Sequence, residues 1–395
     1  MLLAFHDALT KLAQQTEVLA TSQVLPLAQC RQRFAASDIH APIQVPPAAN
    51  SAMDGYALRQ EDWQEGAPLP VSQRIPAGHA PSELTHGTCA RIFTGAEIPP
   101  GANCVVMQEN TEIVDDGLVQ FTKAPIPGDN IRPAGQDIEA GQIVLRRGEQ
   151  ISPRHIGMLA SLGITEVAVY EPLKVGVLTT GDELIMGNQP LGAGQIYNSN
   201  GPMLCALIEE LGHQVVMVRH SEDKADATIA TLKEMDQDCH VILSSGGVSV
   251  GEEDHVKNAI ETIGNLSFWK VNIKPGKPLL FGQLPNAKFI GLPGNPSSTL
   301  VTFHLFARYV LTKAAGGNAT LPLTFKVKAG FTRSKTISRD EFIRCAIQNG
   351  IATPHPQQSS GALFAACATD GYLHVPANHH IDQDSEFDFF PFSGF

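Results

Sequence analysis

With 395 residues, 43% hydrophobic and 17% charged, the chain is too long for one ordinary core of about 100 to 200 residues and too apolar for disorder. Two to four globular domains are expected. A formal net charge of -12 with no basic stretch interleaved with aromatics argues against a nucleic acid as partner, yet leaves room for a small anion held by local cations or backbone N–H groups.

The seven cysteines, Cys30, Cys89, Cys104, Cys205, Cys239, Cys345 and Cys367, form no C-x-x-C pair, so neither a disulfide framework nor a structural zinc site is expected and a reducing, cytoplasmic setting fits. The first residues carry charges throughout and place Phe5, Ala8, Leu9 and Leu12 on one helical face, which reads as a packed helix within 1–20 and not as a signal peptide. A second helical pattern covers 24–37. Between about 41 and 141 lie 12 of the 27 prolines, a density that excludes long helices and favours short strands and turns. Within it, VVMQENTEIV and LVQFTK flank an Asp-Asp-Gly whose last two residues predict a hairpin turn.

Residues 142–172 return to a helix opening at Pro153 and a strand through 167–169. The expected arrangement is a helical N-terminal domain built from 1–40 and 142–172, with a β-rich domain, 41–141, inserted into it. From about 173 to 317 strands and helices alternate, which predicts a mostly parallel α/β sheet. The remainder, 318–395, has strand-like runs separated by turn residues and reads as a small, barrel-like all-β domain. No 18-residue apolar run suggests a membrane span.

An open parallel sheet binds ligands beyond the carboxyl ends of its strands. Three unusual loops fall there: one with Thr180, Gly181, Asp182 and Glu183; one with Ser245, Gly246, Gly247 and Ser249 that runs on to Asp254; and one with Pro293 and Pro296. The second offers glycine N–H groups and hydroxyls at a helix start, as phosphate cradles do, although a plain strand-to-helix turn would use the same residues. Asp182, Glu183 and Asp254 could supply hard oxygens to a magnesium ion bridging phosphates; taken singly, each is equally a helix cap or a solvated charge. Lys274 and Lys277, in Lys-Pro-Gly-Lys-Pro, are either an oxyanion clamp or two solvated lysines of a stiff turn. The segments NSAMDGY and RIFTGA are loop-like, and physics alone assigns them nothing.

These blocks, together with NIRPAGQDI, SSGGVSVGEEDHVK, GLPGNP and EFIR, follow one order along nearly the whole chain. In that order the sequence resembles the MoeA proteins and the gephyrin E domain, the molybdopterin molybdenumtransferases. The resemblance implies a homodimer with four domains per subunit and an active-site cleft between the β insertion of one subunit and the α/β domain of the other. It implies a catalytic pocket with Asp54, Thr94, Asp137, Glu183 and Asp223, a pterin-nucleotide and magnesium face with Asp182, Glu183 and Asp254, and a molybdate and phosphate face with Lys274, Lys277, Arg344 and Ser360. The implied reaction consumes adenylylated molybdopterin and molybdate and releases AMP. An adenylyltransferase would act upstream, and molybdoenzymes or their chaperones would receive the product.

Three positions that the family often fills with carboxylates are neutral here: Ala49, Asn103 and Gln136. An adenylyltransferase acting one step earlier would not need the NSAMDGYA insertion, and a gephyrin-like scaffold would be expected to carry long linkers, which are absent from 1–395. A nicotinamide dehydrogenase fits less well, because Gly192-Ala193-Gly194-Gln195-Ile196-Tyr197 lacks the third glycine of a dinucleotide fingerprint.

Overall fold

In the computed structural model, which describes residues 2–248 and 255–394, the first helical pattern folds as α1, Phe5–Gln15, with Phe5, Ala8, Leu9 and Leu12 buried. The second pattern does not form a helix. Ser22–Pro26 is a strand paired with the strand Glu166–Tyr170, and Leu27–Gln29 is a single tight turn. Pro26 disfavours helical backbone at Leu25, and Gln32 has φ 65°, a left-handed conformation through which no ordinary helix continues.

The helical domain expected from 1–40 and 142–172 is divided. Residues 1–37, 147–152 and 167–395 form one compact unit, and residues 38–146 and 153–166 form another. The reason lies in α1, which is too short to be stable alone. Its apolar face is buried in a core that includes Leu243, Phe306 and Phe342, with the Phe5 ring 5.6 Å from Phe306 and 5.4 Å from Phe342.

The unit of 38–146 and 153–166 carries a six-stranded sheet. Its strands are β1 (Gly55–Leu58), β2 (Leu69–Ile75), β3 (Cys89–Ile92), β4 (Cys104–Met107), β5 (Thr111–Asp115) and β6 (Leu118–Phe121), in the order β4-β1-β3-β2-β6-β5. The Asp-Gly hairpin forms as expected, with Ile113 opposite Val119 across β5 and β6. Gly55 opens β1 because a Cβ there would overlap the Val106 carbonyl oxygen. Helix α2, Pro153–Ser161, belongs to this unit, and Leu162 just beyond it packs with Ala41 and Ile138.

The other unit is built on strands β7 (Lys174–Thr180), β8 (Gln214–Ser221), β9 (Val241–Ser245), β10 (Asn265–Trp269), β11 (Leu280–Gln283) and β12 (Lys288–Leu292). They lie in the order β8-β7-β9-β12-β11-β10; the first four are parallel, and β11 and β10 are antiparallel additions. Helices α3 (Asn200–Glu210), α4 (Ala225–Asp238) and α5 (His255–Ile263) connect them. A further helix starts as α6, Pro296–Thr302, passes through a π turn at Phe303–Ala307 and ends as α7, Arg308–Ala314.

The last five strands are β13 (Phe325–Ala329), β14 (Asp340–Gln348), β15 (Ile351–Pro354), β16 (Gly371–Val375) and β17 (Glu386–Pro391). They run β14-β15-β13-β17-β16 and close by pairing β16 with β14, which makes a small barrel. Ile273 and Lys274 pair in parallel with Asp340 and Glu341 of β14. That pairing ties the lysine-bearing turn to the barrel.

Truncation should confirm where α1 belongs. Leu12 is 1% exposed, so Leu12→Ala is expected to lower unfolding stability by roughly 2 to 5 kcal/mol in a denaturant titration. Val24, 62% exposed on the strand that replaces the expected helix, should tolerate Val24→Ala to within about 0.5 kcal/mol.

Candidate active site

Strands β7, β9 and β12 are adjacent and parallel, so the loops after them open on one edge of the sheet. There they line a cavity of about 520 Å³ whose walls include Thr180, Gly181, Glu183, Asp223, Ser245, Gly246, Gly247, Pro293 and Pro296. Gly246 has φ 95°, and a Cβ on it would come within 2.8 Å of the Thr180 hydroxyl; only glycine lets these two loops touch. Asp182 and Asp223 fix each other: the Asp182 N–H donates to Asp223 Oδ2 at 3.3 Å, and the Asp223 N–H to Asp182 Oδ1 at 3.2 Å. Ser249 and Asp254 lie outside the described residues.

Asn200, which the sequence marks only as the start of a helix, holds this edge together. It is 9% exposed, and its Nδ2 donates to Ser245 Oγ and to the Gly294 carbonyl, each at 2.7 Å. Ser245 Oγ donates onward to the Pro293 carbonyl at 3.2 Å.

A second cavity, of about 730 Å³, shares Pro278, Asn295 and Ser298 with the first. Its walls carry Lys274, Lys277, Arg333, Arg339, His355 and Ser360. The buried carboxylate of Glu341, 5% exposed at its side chain, pairs with Lys274 at 3.1 Å and also with Arg333. Lys277 is exposed and forms no ion pair among the described residues. Arg333, Arg339 and Glu341 escape sequence reading because they belong to the barrel segment, far along the chain from the lysines they meet.

Arg344 stands apart from the expectation that places it on an anion-binding face. It is 0% exposed, and its guanidinium donates to Ser297 Oγ at 2.6 Å, to the Ala362 carbonyl at 2.7 Å and to the Ser359 carbonyl at 3.0 Å. Burial lowers its pKa, the Tyr372 phenol opposing the shift. What Arg344 holds is the segment 358–362, and Ser360 in that segment accepts the Ser297 N–H at its carbonyl, 2.9 Å away.

In the other unit, the Thr94 N–H and the Thr94 hydroxyl both donate to Asp54 Oδ1, each at 2.8 Å. The backbone bond first, then the hydroxyl, holds the Asp54 carboxyl below the usual carboxylate range. Asp137 is exposed; its N–H donates to the Val45 carbonyl at 3.0 Å, and among the described residues no hydrogen bond joins it to Asp54 or Thr94.

Residues 3–163 match the family described as MoeA N-terminal region (domain I and II), residues 176–313 the probable molybdopterin binding domain, and residues 326–392 the MoeA C-terminal region (domain IV). The molybdopterin molybdenumtransferase of Haemophilus influenzae is 40% identical over 349 residues, 87% of this chain and 85% of that protein. The chain belongs to the molybdopterin molybdenumtransferase family. Molybdopterin molybdenumtransferase 2 of Mycobacterium tuberculosis is 35% identical over 370 residues, 89% of this chain and 90% of that one. A crystal structure of the molybdopterin biosynthesis MoeA protein from Pyrococcus horikoshii OT3 superposes with a TM-score of 0.85 at 30% identity, covering 99% of this chain and all of that one. Among the described residues no helix is long and apolar enough to cross a membrane, and no group of three or more His, Cys, Asp or Glu is placed to hold a metal ion unaided.

For this member of the molybdenumtransferase family the burial of Arg344 has a direct test. Arg344→Met removes the donors while leaving the Ser359 and Ala362 carbonyls without them, a loss of about 3 kcal/mol in stability. Proteolysis within 358–362 should accelerate at temperatures where the wild-type chain resists it.

Proposed function

We propose that the chain completes the molybdenum cofactor, cleaving the phosphoanhydride of adenylylated molybdopterin and transferring molybdenum from molybdate to its dithiolene sulfurs, with release of AMP. The observation that carries this reading is the joining of two cavities of unlike chemistry through Pro278, Asn295 and Ser298. One offers backbone N–H groups and hydroxyls suited to a nucleotide's phosphates. The other offers Lys274, Lys277, Arg333 and Arg339, a cationic wall suited to an oxyanion.

Magnesium usually sits on one or two carboxylates and completes its shell with substrate phosphates and water. The reciprocal pairing of Asp182 and Asp223 engages Asp182 through Oδ1, so this edge fits such an ion as a partner of the nucleotide, with Glu183 in the same wall. Bound there, magnesium would polarise the phosphoanhydride. Protein thiolates are not needed, since the substrate brings the soft sulfur ligands. Burial pushes Cys89, Cys104 and Cys345 up to about 12, so these three stay protonated and inert at neutral pH.

Asp54, kept ionised by Thr94, and Glu183 at the sheet edge are the carboxylates this reading makes catalytic, with Asp137 and Asp223 in support. The protein works in the cytoplasm as a homodimer, receives its substrate from an adenylyltransferase and passes its product to molybdoenzymes or their chaperones. Family membership and the resemblance of its motifs support these assignments.

Incubation with adenylylated molybdopterin, molybdate and magnesium should release AMP, measured by chromatography. Asp54→Ala and Thr94→Ala should each reduce that release by at least about a hundredfold, the scale on which misplaced catalytic groups lose rate, while circular dichroism stays unchanged. Wild-type turnover in either variant would remove the pair from the mechanism. Lys277→Ala should raise the half-saturating molybdate concentration several-fold and leave that for the pterin nucleotide within about twofold, since a lone ammonium acts chiefly on the anion beside it. Equal shifts for both substrates would instead give Lys277 a role toward the nucleotide's phosphates.

A further inference from the structure

Beside Asp54 and Thr94 stands a cation that none of the site assignments includes. Arg91 lies on β3 opposite Tyr56 of β1, and its guanidinium crosses β1 toward the turn that follows β4. One nitrogen, Nη1, donates to the Gly55 carbonyl at 3.1 Å, and the other, Nη2, donates to Gln108 Oε1 at 2.7 Å. The same group lies 4.7 Å from the ring centre of Phe93 and 5.2 Å from that of Tyr56.

Each of the contacts to Gly55, Phe93 and Gln108 falls on a neighbour of the Asp54–Thr94 pair. Gly55 follows Asp54 in the chain, Phe93 precedes Thr94, and the Gln108 N–H donates to the Asp54 carbonyl at 3.0 Å. Only a planar, forked cation donates in two directions while stacking on an aromatic face; an ammonium group has no such fork. Arg91 forms no ion pair among the described residues, so its charge is left for the site, and it adds to the forces that keep Asp54 ionised.

We propose that Arg91 is a positioning residue that sets the geometry of the Asp54–Thr94 pair through Gly55, Phe93 and Gln108. The inference rests on the reading of that pair as catalytic. Arg74 supplies the control: its guanidinium lies 4.6 Å from the Phe93 ring centre, and among the described residues no ion pair or hydrogen bond ties it to Gly55 or Gln108.

The test measures AMP release and saturation by both substrates for Arg91→Met, Arg91→Lys and Arg74→Met, beside Asp54→Ala and Thr94→Ala. Arg91→Met is expected to lower kcat about a hundredfold, as a misplacement near 1 Å does, with both half-saturating concentrations within about twofold of wild type. Arg91→Lys, which restores the charge but not the fork, should remain at least about tenfold slow, and Arg74→Met should stay within about twofold. Wild-type kcat in Arg91→Lys overturns the proposal, and so does a loss in Arg74→Met equal to that in Arg91→Met. A change confined to half-saturation would overturn it too, because Arg91 would then bind substrate directly. Should Arg91→Met fail to fold, Arg91→Lys decides alone. If Asp54→Ala and Thr94→Ala keep wild-type turnover, the catalytic reading fails; if they are inactive while the Arg91 variants are not, only the present inference does.

Discussion

The sheet-edge cavity depends on one side-chain amide. Asn200 Nδ2 bridges Ser245 Oγ and the Gly294 carbonyl, and so locks the loop after β9 to the loop after β12. A buried hydrogen bond contributes only about 1 kcal/mol net, but a buried acceptor left without its donor costs roughly 1 to 3 kcal/mol. The two loops are therefore coupled: one does not move without stranding polar atoms of the other. Further bonds follow the same line, from the Gly246 N–H to the Leu292 carbonyl at 3.2 Å and from the Thr299 hydroxyl to the Pro293 carbonyl at 2.6 Å. Loops fixed in this way hold their geometry through bonds to one another. The second cavity inherits that rigidity through Asn295 and Ser298.

A cationic site in an acidic chain needs local charge to outweigh net charge. The formal charge is -12, yet among the described residues the second cavity brings Lys274, Lys277, Arg333 and Arg339 together with one carboxylate, Glu341. Fields inside a concave, low-dielectric wall are set by the nearest groups, and distant surface carboxylates are screened. Glu341 does not cancel the site. A buried carboxylate is costly unless paired, and pairing with Lys274 and Arg333 on two sides restrains both cations against the flexibility of their stems. One negative charge is thus a fixture for two positive ones.

Much of the α/β unit is legible because strands buried on both faces leave apolar runs in the sequence. β9 and β12 are buried along their whole lengths and β7 along all but its first residue, and the loops that line the first cavity lie at their carboxyl ends. The hairpin of β5 and β6 is legible for an equally local reason, its Asp-Gly turn. Residues 24–37 mislead because helical spacing of apolar residues says nothing of the strand partner at Glu166–Tyr170 that captures the segment. Arg344 misleads for a related reason. Its guanidinium is taken up by Ser297 and by the segment 358–362, and no pattern within EFIR carries that information. Asn200, Arg339 and Glu341 escape notice because they have partners distant in sequence, at Ser245 and Gly294, at Ile273 and at Lys274; Arg333 joins them through Glu341.

The two segments that composition leaves without a role, NSAMDGY and RIFTGA, are halves of one structure. The Ser51 N–H donates to the Ala96 carbonyl at 2.9 Å, and the Gly95 N–H returns to the Ser51 carbonyl at 2.8 Å. The two bonds from Thr94 to Asp54 Oδ1 continue that zipper, and Ser51 Oγ donates to the Met53 carbonyl at 2.6 Å to shape the turn between. Gly55 then enters β1 under the Val106 carbonyl, where no Cβ fits. Burial holds part of them, at Tyr56, Ile92 and Ala96; at Ser51, Asp54, Gly55 and Thr94 the residue type answers to a hydrogen bond or to a close approach to backbone. That is why such segments look arbitrary singly and become intelligible only as a pair.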